Sequence, residues 1–210
     1  NFTSNAENSI VKFLQENNIQ CLQNYKKLGP ELDIFIENKK IAIEYNGLYW
    51  HSESNGKTSK YHIGKTEHYY NKGIRLIHVF EDEWINKENI VKDKLLHILG
   101  KSTSKKRIYA RNTDIKKIDA TLKNAFLNQN HIQGTDKSSI AYGAFCNQEL
   151  VSVITFSEPR IALGLSTKKD VYELTRFSSV NNYVVIGTFS RLLNMFIKEY
   201  SPEKIYSYEI

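Results

Sequence analysis

The sequence predicts an α/β (α+β) chain built in two parts. Three features point there. Short apolar runs bounded by turn residues, at 34–36, 41–45 and 74–80, read as strands. Longer stretches with apolar residues three and four apart, at 4–17, 60–71 and 82–98, read as helices. Then KSTSKKR, from Lys101, has the composition of a linker and separates a domain at 1–100 from a second, smaller α/β domain at 101–210.

The chain opens on a helix. Ser4 suits its N-cap, Glu7 follows three residues later as in a capping box, and Ile10, Val11, Phe13 and Leu14 form the apolar stripe. Glu16 lies near the end, on the surface. A strand over 19–22 and a turn at Leu28-Gly29-Pro30 deliver the chain to the hairpin ELDIFIENKKIAIEY, which turns at 38–40. Gly47 breaks its second strand, and Leu48-Tyr49-Trp50 leads into His51 and a polar loop. The helix over 60–71 closes at Gly73, a left-handed C-cap, and Tyr61, Lys65, His68 and Tyr69 share one of its faces. The run 74–80 (IRLIHVF) is continuously apolar, as in a strand buried on both faces. Glu81, Asp82 and Glu83 follow at its carboxyl end, where Asp82 also suits the N-cap of a helix running to Gly100.

The second domain reads as strand 107–111, helix 114–130, a hairpin of strands 140–146 and 150–157 joined at 147–149, strand 171–177, an amphipathic helix through Phe189, Leu192, Leu193, Phe196 and Ile197, and a strand starting at Ile205. Cys21 and Cys146 lack metal-ligand or disulfide spacing and read as reduced, packed thiols. No 18-residue apolar window exists and the start is polar, so the expectation is a soluble, cytoplasmic chain with no membrane partner.

The chemistry concentrates in the central hairpin. Asp33 and Glu44 are acids in otherwise apolar neighbouring strands, and an ionised carboxylate is costly to bury unless paired or bound to a cation. With Asn46 two residues on, they suit a hard divalent ion that takes oxygen ligands. His51 follows an aromatic pair and titrates near neutrality, which suits proton transfer from water. His78, inside the apolar run, reads as a core residue that makes a hydrogen bond, and His97 as a favourable charge at a helix C-terminus.

Asp33 with Glu44-x-Asn46 resembles the metal-binding core of the PD-(D/E)XK nucleases, a restriction-endonuclease-like mixed sheet flanked by helices, with Asn46 where most members carry lysine. Asn46-Gly47-Leu48-Tyr49-Trp50-His51 resembles the very-short-patch-repair (Vsr) endonucleases and the Vsr-like, or EDxHD, phage homing endonucleases. The resemblance covers about residues 4–100. It implies a DNA endonuclease dependent on Mg²⁺, with Mn²⁺ as substitute, acting on double-stranded DNA in a bacterial or phage-infected cell. Asp33, Glu44 and the main-chain carbonyl of Tyr45 would be metal ligands, and His51 the general base. Glu7 would point into the metal site, its other reading being the capping box. Asp82, chosen over Glu81, would be the final acid. Lys65 would meet the phosphate or its developing charge, its other reading being a solvated lysine. Trp50 would support the site or wedge between bases.

The whole charge excess of +6 lies beyond the first hundred residues, which hold equal numbers of bases and acids. Lys105, Lys106, Arg107 and Arg111 form a basic entrance to the second domain, suited to phosphate contacts. The order of elements there resembles an acetyltransferase-like (GNAT) fold of the Mom-like branch, which implies an acyl- or amino-group transferase as an alternative activity. Against it, Asn181-Asn182-Tyr183-Val184-Val185-Ile186 offers a coenzyme loop only Gly187. The chain also ends at Ile210, before the closing strands of that fold, as a truncated chain would. A third reading is a DNA-binding protein whose nuclease core has decayed, for which the absent lysine at position 46 speaks.

Overall fold

The structure, a computed structural model, describes residues 5–47, 59–101, 106–158 and 170–207, and of 59–61 the backbone alone. The chain divides into two compact units, Asn1–Ser102 and Thr103–Ile210, and the architecture is mixed α/β in both.

In the first unit, α1 (Asn5–Glu16) buries Ile10, Val11, Phe13 and Leu14, the stripe that a 3.6-residue period brings to one side. β1 (Leu22–Tyr25) pairs antiparallel with β2 (Leu32–Ile36). A 3-10 turn over Glu37–Lys39, with Lys40 left-handed at φ 52°, reverses the chain into β3 (Ile41–Asn46). β3 then pairs parallel with β4 (Arg75–Phe80), which requires a crossover, and α2 (Ser59–Tyr70) lies in it. The sheet order is β1-β2-β3-β4. Tyr69 of α2 is fully buried among Leu32, Phe35, Ala42 and Ile74, and this packing seats the helix on the sheet.

Three expectations for this unit are corrected. The strand expected over 19–22 begins at Leu22, because Ile19 instead anchors the end of α1 in the core. β4 is an end strand of the sheet among the described residues, with Ile77 and Val79 buried and Leu76, His78 and Phe80 only partly so. The helix expected from Asp82 to Gly100 is two helices, α3 (Glu81–Asn86) and α4 (Glu88–Ile98), broken at Lys87, and the cap position falls on Phe80. Trp84 is thereby buried, with the Lys92 ammonium 5.7 Å from its ring centre.

The second unit contains β5 (Arg107–Tyr109), a 3-10 turn over Ala110–Asn112, β6 (Asp114–Lys117), α5 (Ala120–Asn130), β7 (Ile140–Cys146), β8 (Glu149–Ser157), β9 (Val171–Ser179), β10 (Val184–Ile186), α6 (Thr188–Tyr200) and β11 (Lys204–Ser207). Five strands form one sheet in the order β11-β9-β8-β7-β6, and β5 pairs parallel with β10 in a separate ribbon. The helix expected over 114–130 begins only at Ala120. The Asp119 carboxylate accepts from the Leu122 amide at 2.8 Å and starts it there. Asp114–Lys117 is instead a charged edge strand on β7. Asn147 and Gln148, both at positive φ, make the two-residue hairpin turn between β7 and β8. On one face Leu192 and Phe196 of α6 enter the core, Phe196 stacking on Phe156 at 3.7 Å between ring centres. Phe126 and Leu127 of α5 pack with Val153 in a second cluster. Cys21 and Cys146 are free, half-buried thiols.

Candidate active site on the first sheet

The pairing of Ile34 with Ile43 continues, one residue further, to set Asp33 opposite Glu44. Residues directly opposite in an antiparallel pair project from the same face. Each carboxylate is tied to the other strand: Asp33 Oδ2 accepts from the Tyr45 amide at 2.9 Å, and Glu44 Oε1 accepts from the Asp33 amide at 3.4 Å. Glu44 is 7 % exposed. Desolvation, and then the neighbouring Asp33 charge, push its carboxyl up to about 7, against a smaller opposing effect of Lys65.

Lys65 comes down from α2 onto this pair. Its ammonium donates to Glu44 Oε2 at 2.5 Å, and both side chains are almost wholly buried. The helix is held from two sides. Asn46 Nδ2 donates to His78 Nδ1 at 3.1 Å, and His78 Nε2 meets the Thr66 hydroxyl at 3.0 Å. That hydroxyl donates to the His62 carbonyl, so it can only accept from a protonated Nε2, and His78 is held as the neutral Nε2-H tautomer. Burial, with the charges of His62 and Lys65 behind it, keeps the His78 pKa below its ordinary value. At the other end of α2, the loop carbonyls of Leu28 and Pro30 accept from His68, Lys72 and the Tyr69 hydroxyl.

Tyr45 projects to the opposite side of β3 from Glu44, as strand alternation requires. Burial, then the charges of the half-buried Glu81 of α3 and Glu7 of α1, raise its phenol pKa. Asp82 is exposed.

Among the sequence-derived candidates, the structure therefore brings Asp33, Glu44 and Lys65 together and uses Asn46 to hold His78. Glu7 and Glu81 act on Tyr45 through their charges. Trp50, His51 and Lys105 lie outside the described residues, as does Ser4. Lys106, Arg107 and Arg111 are exposed in the second unit, with the Arg111 guanidinium 5.1 Å from the Tyr109 ring centre. The chain from Asn46 through His78 to Thr66 is not apparent in the sequence, since it joins three elements. Its one signal is a histidine in an apolar strand. Among the described residues, no three His, Cys, Asp or Glu side chains group closely enough to hold a metal ion, and no helix is long and apolar enough to cross a membrane.

No known family profile and no curated protein matches the chain. Among solved structures, the chain is similar to the catalytic domain of the homing endonuclease I-Bth0305I, at 24 % identity and a TM-score of 0.40, over 49 % of this chain and all of that one. It is also similar to a ribosomal-protein-alanine N-acetyltransferase from Brucella melitensis biovar Abortus 2308, at 15 % identity and a TM-score of 0.33, over 47 % of this chain and 80 % of that one.

Proposed function

We propose that the first unit is a metal-dependent endonuclease acting on double-stranded DNA. One observation carries this reading: the half-buried Asp33 and the buried Glu44 face each other across adjacent strands, with the Lys65 ammonium on Glu44. Burial, and then the Asp33 charge, raise the Glu44 pKa, and a bound cation would offset both. The donor set fits Mg²⁺ or Mn²⁺, because Mg²⁺ is bound through one or two carboxylates and keeps several waters instead of filling a protein cage. Asp33 and Glu44 would hold it, with the Tyr45 carbonyl as a further ligand, and when bound it supplies Lewis-acid stabilisation of phosphate charge.

The chain's own residues do the rest. The Lys65 ammonium orients Glu44 and stands ready to donate to a non-bridging phosphate oxygen as charge builds there. His51, following β3 in the chain, accepts the proton of the attacking water. Asn46 serves through its bond to His78, which fixes α2 against the sheet. Of the acids after β4, Asp82 at the exposed start of α3 would be the final acid, and Glu81 beside it is half-buried. The second unit, with Lys105, Lys106, Arg107 and Arg111, would hold the duplex. A homing role in a phage or bacterium belongs to the resemblance alone.

The test is plasmid cleavage with Mg²⁺ or Mn²⁺ by the parent protein, Asp33→Ala and His51→Ala. Metal-dependent cutting by the parent and its loss in both variants are expected. Equal cutting by all three removes the site assignment. The decayed-nuclease alternative predicts DNA binding without cutting in any of them.

A further inference from the structure

A shallow groove in the second unit runs between β6 and α6, lined by Ile115, Arg191, Asn194, Met195 and Lys198. Residues 191, 194, 195 and 198 recur at three- and four-residue steps, so α6 presents them on one face, away from Leu192 and Phe196 in the core. Arg191 and Lys198 stand two turns apart, about 10.5 Å along the helix, with Ile115 and Met195 between. Lys198 and Asn194 have no hydrogen-bond or ion-pair partner among the described residues. Arg191 is held in place through one nitrogen: Nη1 donates to the Ala110 carbonyl and, at 2.7 Å, to the Thr113 carbonyl. Its remaining donors make no hydrogen bond among the described residues, and the turn it rests on carries the exposed Arg111. Glu199, the acid nearest Lys198 on the helix, is already matched by Lys117 at 3.0 Å and by the Tyr142 hydroxyl at 2.5 Å.

We propose that this groove seats the phosphodiester backbone of duplex DNA, extending the basic surface at Arg107 and Arg111 along α6. A nucleic-acid strand alternates anionic phosphates with apolar sugar edges, and the groove alternates a cation, an apolar floor and a second cation. The chain beyond residue 100 carries the whole charge excess of +6, which suits an extended polyanion such as a duplex. The contacts are to the backbone, so they position a duplex without reading its sequence. The inference rests on the reading that the second unit holds DNA, but not on the nuclease chemistry of the first.

Binding of the full chain to a fluorescein-labelled duplex, followed by anisotropy in EDTA, tests it without any cleavage. Lys198→Ala and Asn194→Asp, both at exposed positions, weaken binding equally for unrelated sequences. Lys198→Ala also lowers the slope of log affinity against log salt by about 1. Lys116→Ala is the control: it lies on the same strand as Ile115 but projects to the other face, over Phe145 at 5.5 Å, and leaves the slope unchanged. A parent slope retained in Lys198→Ala, or an equal loss in Lys116→Ala, overturns the proposal. So does preference for an acidic peptide or for RNA over the duplex. Failure of plasmid cleavage with these binding effects intact would count against the nuclease reading alone.

Discussion

At the scale of single residues, the site turns on Lys65. The position where a nuclease of the resembled class carries lysine holds Asn46, whose amide is occupied by His78. The cation in contact with Glu44 arrives instead from a helix 21 residues further along the chain. The two acids were legible in the sequence because charged residues inside apolar strands need a reason. Lys65 was legible only as a candidate, since its partner depends on how α2 lands on the sheet. Removing one member of a buried pair costs about 3–5 kcal/mol. Lys65→Met should therefore destabilise the first unit by about that much at pH 8, and by clearly less at pH 5, where Glu44 is protonated and needs no cation. Chemical denaturation at the two pH values checks this. Glu44 has its own signature. Its folded carboxyl holds a proton up to about 7 against an ordinary 4.5, so the native state binds more protons than the unfolded state between those values. Stability then falls as pH rises through that window, by about 3 kcal/mol, and levels off above it. Metal-free melts from pH 4 to 8 should show the decline, and Glu44→Gln should flatten it.

At the scale of elements, the strongly periodic helices α1 and α6 were legible because each carries one apolar stripe and needs no partner to define it. β6 was not. Asp114, Lys116 and Lys117 give it no strand signature, and it exists because β7 offers an open edge. The break at Lys87 was equally hidden, since both flanking segments are helical in pattern. The placement of α2 depends on its clasp. Gly29 sits at φ 135°, and a Cβ there would lie 2.4 Å from His68 Nε2. Gly29→Ala should cost about 3 kcal/mol through backbone strain and that clash. Adding His68→Ala should recover part of it, whereas strictly additive losses in a double-mutant cycle would show that no clash operates. In the second unit, Lys123 is 3 % exposed and donates to Asp136 Oδ1 at 3.1 Å and to the Ser138 carbonyl at 2.9 Å. The other Asp136 oxygen accepts from Thr155 at 2.8 Å and Thr175 at 2.5 Å, pinning the loop after α5 to β8 and β9. Lys123→Met should lower that unit's stability by about 3–5 kcal/mol, read in denaturant melts, while Lys137→Met on the same loop leaves it within about 0.5 kcal/mol.

At the scale of the whole molecule, charge and chemistry are divided. The first hundred residues are balanced in charge and hold the Asp33–Glu44 pair, while the rest carries the full excess of +6 and the basic groove on α6. Such a division suits the proposed activity, in which the first unit cuts and the second holds. The proposed activity depends most on Asp33 and Glu44 taking up one divalent ion between them. Calorimetric titration of Mn²⁺ into the parent protein and into Asp33→Ala measures that directly. One ion bound per chain by the parent, with affinity at least about tenfold weaker in the variant, a difference of about 1.4 kcal/mol, is the expected result. Equal binding by the two proteins, or none by the parent, would contradict it.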